Sequence, residues 1–397
     1  MLGQLAYRMV STSSPRTLWK FLWNFGLGGM RSMRRFRRRI AGGRQFPPFL
    51  FLSVTSRCNL RCQGCWVATD GPPADLDVAA VGRIIHRAAE QGTRFFGILG
   101  GEPLLYDGLF DLFQRHPNCY FQLFTNGTLI TADAARRLRR AGNVTPLVSI
   151  EGDAAVSDQR RGGRDVHART LAGLRHCLDA RLITGVATSV CKSNLADLAS
   201  ESHLDRLIDL GVHYVWFYAY RPSGPNPCPE LALSPDELVT LRRFIVEMRC
   251  RKPIIIVDTY YDAEGRALCP AAEGMSYHVN PWGDIEPCPP IQFAVESVGN
   301  GDDVVGRIDR SAFLKAFRDF ASRRTRGCVL LEAPHELREF LLRQGARDTT
   351  GRGTGFDELV RMAPRASQHL PGREIPEKHW LYRFAKRHWF FGFGGYA

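Results

Sequence analysis

The chain has 397 residues, 44% hydrophobic and 23% charged, which is enough apolar material for one large α/β domain with an extension or for two domains. Its net charge of +13 is confined to the ends: residues 1–50 hold ten Lys or Arg and no acid, residues 371–397 hold five basic and two acidic residues, and residues 51–370 hold 38 of each. That partition argues against a globally basic protein and for termini that meet an anionic surface.

Residues 1–47 form a basic, aromatic segment. Met30, Met33, Phe36 and Ile40 recur at helical spacing among six arginines, after RTLWKFLWNFGL. Such a pattern suits a helix lying in an anionic membrane interface. Packing on the chain's own core and binding of nucleic-acid phosphates are its alternatives, and nucleic acid is not the expected partner. The polar MVSTSSPR after Arg8 does not make a secretory signal, and no run approaches the roughly 18 apolar residues of a membrane span. A cytoplasmic location follows, peripheral on the inner face of the membrane if the anchor holds, and there eleven cysteines favour metal or redox chemistry over disulfides.

From residue 48 to 260, apolar runs alternate with helical patterns. Buried strands are expected at 49–55, 94–100, 120–125, 144–150, 183–190 and 213–220. Helices are expected near 77–91, 107–115, 131–141, 165–181, 194–210 and 234–249. Six strand–helix units imply α/β architecture, a parallel sheet forming a partial (β/α)6 barrel. Ligands bind such sheets at the carboxyl ends of the strands, and there the motifs cluster: cysteines after the first strand, GGEP after the second, TNGT after the third, EGD after the fourth. Residues 261–348 change rhythm into a small α+β extension, with two short strands in 276–289 and helices near 309–322 and 334–345. Residues 349–397 read as a linker, TTGRGTG, and a second basic aromatic tail.

The loop after the first strand reads RCNLRCQGCW. Cys58, Cys62 and Cys65 have the spacing C-x3-C-x2-C. A four-iron cubane wants four ligands, so three thiolates leave one iron open to a small molecule. A zinc site borrowing a distant ligand, or unrelated thiols, are the alternatives. CNLRCQGCW followed by Gly100, Gly101, Glu102 and Pro103 resembles the radical S-adenosylmethionine superfamily over about residues 48–260. The resemblance implies a [4Fe-4S] cluster whose open iron takes S-adenosylmethionine, cleavage to a 5′-deoxyadenosyl radical, and hydrogen abstraction from a substrate. It also implies a one-electron donor such as flavodoxin or ferredoxin. The glycines of GGEP would let backbone approach the ligand closely, and by the same resemblance that backbone, helped by Glu102, would bind the methionyl amino group, or else GGEP is a structural turn. Ser149 and Glu151, in SIEGD where relatives often have Asp, would meet ribose or carboxylate. Arg161 would pair with the ligand carboxylate, with Arg160 as alternative, and Asn126 would face the same rim or serve as a turn residue.

Cys269 and Cys288, spaced C-x13-G-x4-C around Gly283, are similar to the opening of the SPASM/twitch auxiliary-cluster motif. With Cys328 they would hold a second iron–sulfur cluster, or else stand as three buried thiols, and Cys228 would join if its loop folds back. The substrate expected from the charged, aromatic termini is a membrane lipid or polyisoprenoid. The alternatives are a peptide, modified as by a RiPP-type maturase, and RNA.

Overall fold

The computed structural model describes residues 2–67, 71–258 and 261–389. Seven parallel strands lie side by side in chain order: β1 (Phe49–Ser53), β2 (Phe95–Leu99), β3 (Tyr120–Thr125), β4 (Val144–Ser149), β5 (Gly185–Val190), β6 (Tyr214–Ala219) and β7 (Ile255–Val257). Beyond β1 the sheet continues into β8 (Ser276–Val279), parallel to it, and β9 (Ile285–Glu286), antiparallel to β8. The partial barrel is therefore wider than six strands. The short β7 and the first strand of the C-terminal hairpin both join it.

Three helices precede the sheet: α1 (Leu2–Thr12), α2 (Pro15–Lys20), which runs through a π-helical stretch at Phe21–Leu27, and α3 (Gly28–Ala41). The crossovers are α4 (Val78–Glu90), α5 (Leu109–Arg115), α6 (Ala132–Ala141), α7 (Ala154–Arg161), α8 (Val166–Asp179), α9 (Leu195–Leu198), α10 (Glu201–Asp209) and α11 (Pro235–Arg251). The single helix expected over 194–210 is two, because Ser200 breaks it and caps α10 by accepting from the His203 N–H. After β9 come β10 (Phe293–Ala294), α12 (Val304–Asp309), α13 (Ala312–Arg324), α14 (Val329–Glu332), α15 (Pro334–Arg343), β11 (Arg347–Asp348), α16 (Gly355–Arg361) and α17 (Trp380–His388).

Strand alternation divides the core. Leu50, Leu52 and Val54 face the crossover helices, while Phe49 and Phe51 face the lumen. Burial on both faces is why these strands read as unbroken apolar runs. The lumen cluster, with Phe95, Tyr120, Leu147, Tyr214 and Trp216, also takes in Met33 and Phe36 of α3. Phe25 packs on Phe95 and Tyr120, the first residues of their strands, at 5.0 and 5.7 Å. The N-terminal helices therefore plug the barrel at the amino ends of its strands. This corrects one expectation: the Met33–Phe36 stripe is consumed by self-packing and is not offered to a membrane.

The stretch 349–355 is likewise no free linker. Thr349 and Thr350 are buried, Thr349 Oγ1 donates to Glu286 at 2.6 Å, and Asp348 pairs with Phe293. The tail folds back as well. Glu377 and Lys386 join Arg242, Arg249 and Asp258 in a fully buried ionic cluster. The last part of the aromatic tail, 390–397, lies outside the described residues. Among the described residues no helix is long and apolar enough to cross a membrane.

Candidate functional site

The cysteine loop leaves the carboxyl end of β1, opposite the N-terminal plug. Cys58, Cys62 and Cys65 are half-buried free thiols. Two residues from elsewhere clamp the loop. The Arg160 carbonyl accepts from Gln63 N at 2.7 Å, and Tyr220, just after β6, lies so close over Gly64 that a Cβ there would sit 2.0 Å from its hydroxyl. Gly64 also has φ +67°, which glycine tolerates best. Burial raises the Cys58 thiol, and burial with the neighbouring Cys62 pushes Cys65 up to about 12.

The GGEP turn lies directly against this loop. Gly101 N donates to Thr55 O at 2.8 Å and Glu102 N to Arg57 O at 2.7 Å. A Cβ on Gly101 would fall 2.2 Å from the Arg57 carbonyl oxygen, so glycine there serves the approach of one loop to the other. Glu102, expected to face a ligand, has no exposed surface. Its carboxylate accepts from Thr125 Oγ1 at 2.7 Å, Asn126 N at 2.8 Å and Leu104 N at 3.1 Å. Desolvation nevertheless holds its pKa above the ordinary value. Pro103 opens the short turn that follows. Asn126 in turn bonds Asn59 of the cysteine loop at 2.8 Å and accepts from Thr128 N at 2.9 Å. Three of the four strand-end motifs are thus one hydrogen-bonded unit.

The fourth motif supplies charge. Ser149 ends β4, half-buried, and the buried Glu151 accepts from Ser189 N at 3.1 Å and from Arg161. Arg161 Nη1 reaches Cys62 Sγ at 3.7 Å. Burial would lower its pKa, but Glu151 and the thiols of Cys62 and Cys65 outweigh that and hold the guanidinium charged. Arg160, the alternative, points away: it donates to Ser189 O at 3.2 Å and lies over the Tyr220 ring. Of the pair, Arg161 is the one that faces the cysteines.

Sequence reasoning missed a buried polar chain at the same rim. Ser53 Oγ, the last lumen-facing residue of β1, lies 2.7 Å from His278 Nε2, and His278 Nδ1 lies 2.6 Å from Glu286 Oε2. Glu286 is closed off by Thr349 and by Asn280 at 2.9 Å. The His278 ring meets Trp66 edge-on at 6.0 Å, and a narrow cleft lined by Ser53, Thr55, Trp66, Gly100 and His278 opens beside it. The signal was a histidine at a lumen-facing position of a strand whose place in the sheet only the fold reveals.

Cys269, Cys288 and Cys328 come together although they span 60 residues of chain. Burial, then the charge of its neighbour Cys328, pushes Cys269 up to about 11, and burial, Cys269 and Cys328 raise Cys288 well above the thiol value. Arg326 Nε, donating to Ala267 O at 3.0 Å, ties the two loops. Cys228 sits elsewhere, packed with Cys191, Tyr220 and Ala232.

The donor sets fit iron–sulfur clusters. A cubane takes one thiolate per iron and spreads its ligands, which three thiols on one short loop can supply. Burial raises the thiols of Cys58, Cys65, Cys269 and Cys288, and a polynuclear cation bound there would stabilise their thiolates.

Comparison with known proteins gives similarities of sequence and of fold. The family model for the radical SAM superfamily matches residues 52–200. The AdoMet-dependent heme synthase of Methanosarcina barkeri is 30% identical over 208 residues, covering 51% of this chain and 59% of that protein. The PqqA peptide cyclase of Gluconobacter oxydans is 26% identical over 250 residues, 61% of this chain and 70% of that one. The crystal structure of Streptococcus suis SuiB bound to S-adenosylmethionine superposes with a TM-score of 0.61 at 17% identity, over 75% of this chain and 73% of that one. The match thus spans little more than half of the heme synthase.

Proposed function

We propose that the chain, which matches the radical SAM superfamily model over residues 52–200, reductively cleaves S-adenosylmethionine and abstracts hydrogen from a peptide substrate. The single observation that carries the chemistry is the three-thiol loop at the carboxyl ends of the parallel strands, braced by GGEP, Asn126 and Arg161. When bound, a [4Fe-4S] cluster on Cys58, Cys62 and Cys65 with S-adenosylmethionine on its open iron would supply the 5′-deoxyadenosyl radical. The chain's own residues position and shield. Glu102 holds the GGEP turn and the Asn126 turn at fixed separation. Glu151 holds the Arg161 guanidinium beside Cys62, 3.7 Å from its sulfur. Gly100, Ser149 and Asn126 share the rim on which the methionyl and ribose groups would rest. Tyr220 and Trp66 cover the loop and exclude water. Ser53, His278 and Glu286 would orient the substrate beside the cleft.

A peptide is favoured over the lipid that the termini suggested, since the PqqA peptide cyclase, by its name a peptide-acting enzyme, is similar over 61% of this chain, and the fold of SuiB, solved with its precursor peptide SuiA, overlays 75% of it. Cys269, Cys288 and Cys328 would hold an auxiliary cluster of SPASM/twitch type, and a flavodoxin or ferredoxin would donate the electron. The test is anaerobic. Reconstituted protein, reductant and S-adenosylmethionine are incubated with a pooled tryptic digest, with a membrane-lipid extract, or alone, and 5′-deoxyadenosine is counted. Stimulation by peptides supports the reading; stimulation by lipid alone overturns the substrate assignment.

A further inference from the structure

The helix pair at the base of the barrel carries large apolar residues on two sides. Phe25, Met33 and Phe36 fill the lumen, and buried polar groups fix the pair in place: Asn24 Nδ2 donates to Pro117 O at 2.9 Å and Cys119 O at 3.2 Å, Ser32 Oγ to Pro48 O at 2.8 Å, and Thr17 is buried with Ser14. A second apolar set faces outward. Trp19, Leu22 and Trp23 are 60, 53 and 47% exposed, and Leu27 is exposed below them. Trp19 and Trp23 stack at 5.5 Å across the start of the π-helical stretch, so these side chains stand as a fixed ledge. The C-terminal helix extends the same edge: Trp389 packs on Phe25 at 5.2 Å and donates from its indole to Phe25 O, while Trp380 and Phe384 of α17 remain exposed. An exposed apolar surface held in place by buried hydrogen bonds marks contact with a second apolar phase.

Beside the ledge lies a cavity of about 210 Å³. Arg31, Arg35 and Arg94 line it with Trp23, Asn24 and Asn118, and no carboxylate is among its lining residues. Arg31 lies over the Trp23 ring at 5.7 Å, and Arg35 is laid across Gly92, where a Cβ would meet its guanidinium at 2.5 Å. Arg34 and Arg38 project from the same helix, exposed. Three arginines lining one pocket, with amide side chains at its wall and no carboxylate, give it the composition of a phosphate site. Tryptophans beside it suit the headgroup level of a bilayer.

We propose that the base of the barrel docks on an anionic phospholipid surface, with Trp19, Leu22 and Trp23 entering the interface and Arg31, Arg35 and Arg94 receiving a lipid phosphate. The occupant is identified by charge complementarity: a wholly basic, carboxylate-free pocket next to an apolar ledge matches the two parts of one amphiphile. Docking in this way leaves the cysteine rim, at the opposite ends of the strands, facing the aqueous side. The proposal is independent of the substrate class.

Vesicle flotation tests it with the full chain. Wild-type protein is expected to float with phosphatidylglycerol/phosphatidylcholine vesicles, not with phosphatidylcholine alone, and to be released by 0.5 M salt, about the concentration that shortens the Debye length to a few ångströms. Arg31→Gln with Arg35→Gln should weaken partitioning about 30-fold, roughly fivefold per arginine. The Lys pair at the same positions should restore most of it, and Trp19→Ser with Trp23→Ser should abolish flotation. All variants should melt as wild type does and form 5′-deoxyadenosine at the wild-type rate, because none touches the cysteine rim. Equal flotation on neutral vesicles, none on either, or variants indistinguishable from wild type would overturn the proposal. So would retention on polyuridylate with none on anionic vesicles.

Discussion

Gly101→Ala asks whether the GGEP turn is built for the cysteine loop. The new Cβ would stand 2.2 Å from Arg57 O, 2.5 Å from Arg57 C and 2.7 Å from Ser56 O. These are backbone atoms that no side-chain rotation can clear, so the two loops must separate. Separation breaks Gly101 N→Thr55 O and Glu102 N→Arg57 O. Two such bonds are worth about 2 kcal/mol and overpacking costs about 1–3 kcal/mol more, so the variant should lose about 3–5 kcal/mol of stability. That is a large part of the roughly 5–15 kcal/mol that keeps a domain folded. Because Arg57 adjoins Cys58, iron retained after anaerobic gel filtration should fall as well. Gly3→Ala, with nothing within 4 Å of its Cβ, is the control and should be neutral. Urea unfolding reads the stability. A Gly101→Ala midpoint at the wild-type value, with full iron, would refute the argument that these glycines exist for loop-to-loop contact.

Three further outcomes follow from the same contacts. His213 is buried neutral, its pKa lowered by desolvation to about 4, with Nδ1 accepting from Thr184 N and Nε2 bonding Thr12 and Ser13 of the N-terminal plug. The unfolded chain binds its proton at a pKa near 6.5, so stability falls as pH drops between those values, by about 2 kcal/mol at pH 5. His213→Asn should be less stable at neutral pH and should flatten that slope in thermal melts. Glu377→Ala leaves Asp258 to balance the buried cations Arg242, Arg249 and Lys386 and should cost about 3–5 kcal/mol, with the chain after Glu377 becoming the first site of limited trypsin cleavage. Cys288→Ala should lower iron from about eight to about four atoms per chain while the cysteine-loop cluster remains. Unchanged iron would remove the auxiliary cluster from the account.

The legible parts of this protein are those set by local pattern. Apolar runs covered on both faces place six strands to within two residues at each end, and three cysteines in eight positions with GGEP after the next strand mark the candidate site that the fold draws together. What sequence could not supply depended on distant partners. Nothing in DQRRG distinguishes Arg160 from Arg161; the difference is that Tyr220 and Ser189 claim the first and Glu151 with Cys62 the second. Glu102 reads as a ligand contact until Thr125 and Asn126 are seen to use both its oxygens. The stripe Met33–Phe36 has the composition of a membrane helix, yet the lumen of the barrel buries it, and the surface left for a membrane is the neighbouring tryptophan ledge. TTGRGTG has the composition of a linker, but Glu286 of the hairpin and the Gln292 carbonyl both accept from Thr349 at its start.

The most direct test of the central claim compares wild type with Cys58→Ala/Cys62→Ala/Cys65→Ala after anaerobic reconstitution, with dithionite and S-adenosylmethionine. Wild type should form 5′-deoxyadenosine, and the triple variant none while keeping any iron on Cys269, Cys288 and Cys328. Iron-loaded wild type that forms no product, or a triple variant that forms as much as wild type, would contradict the account.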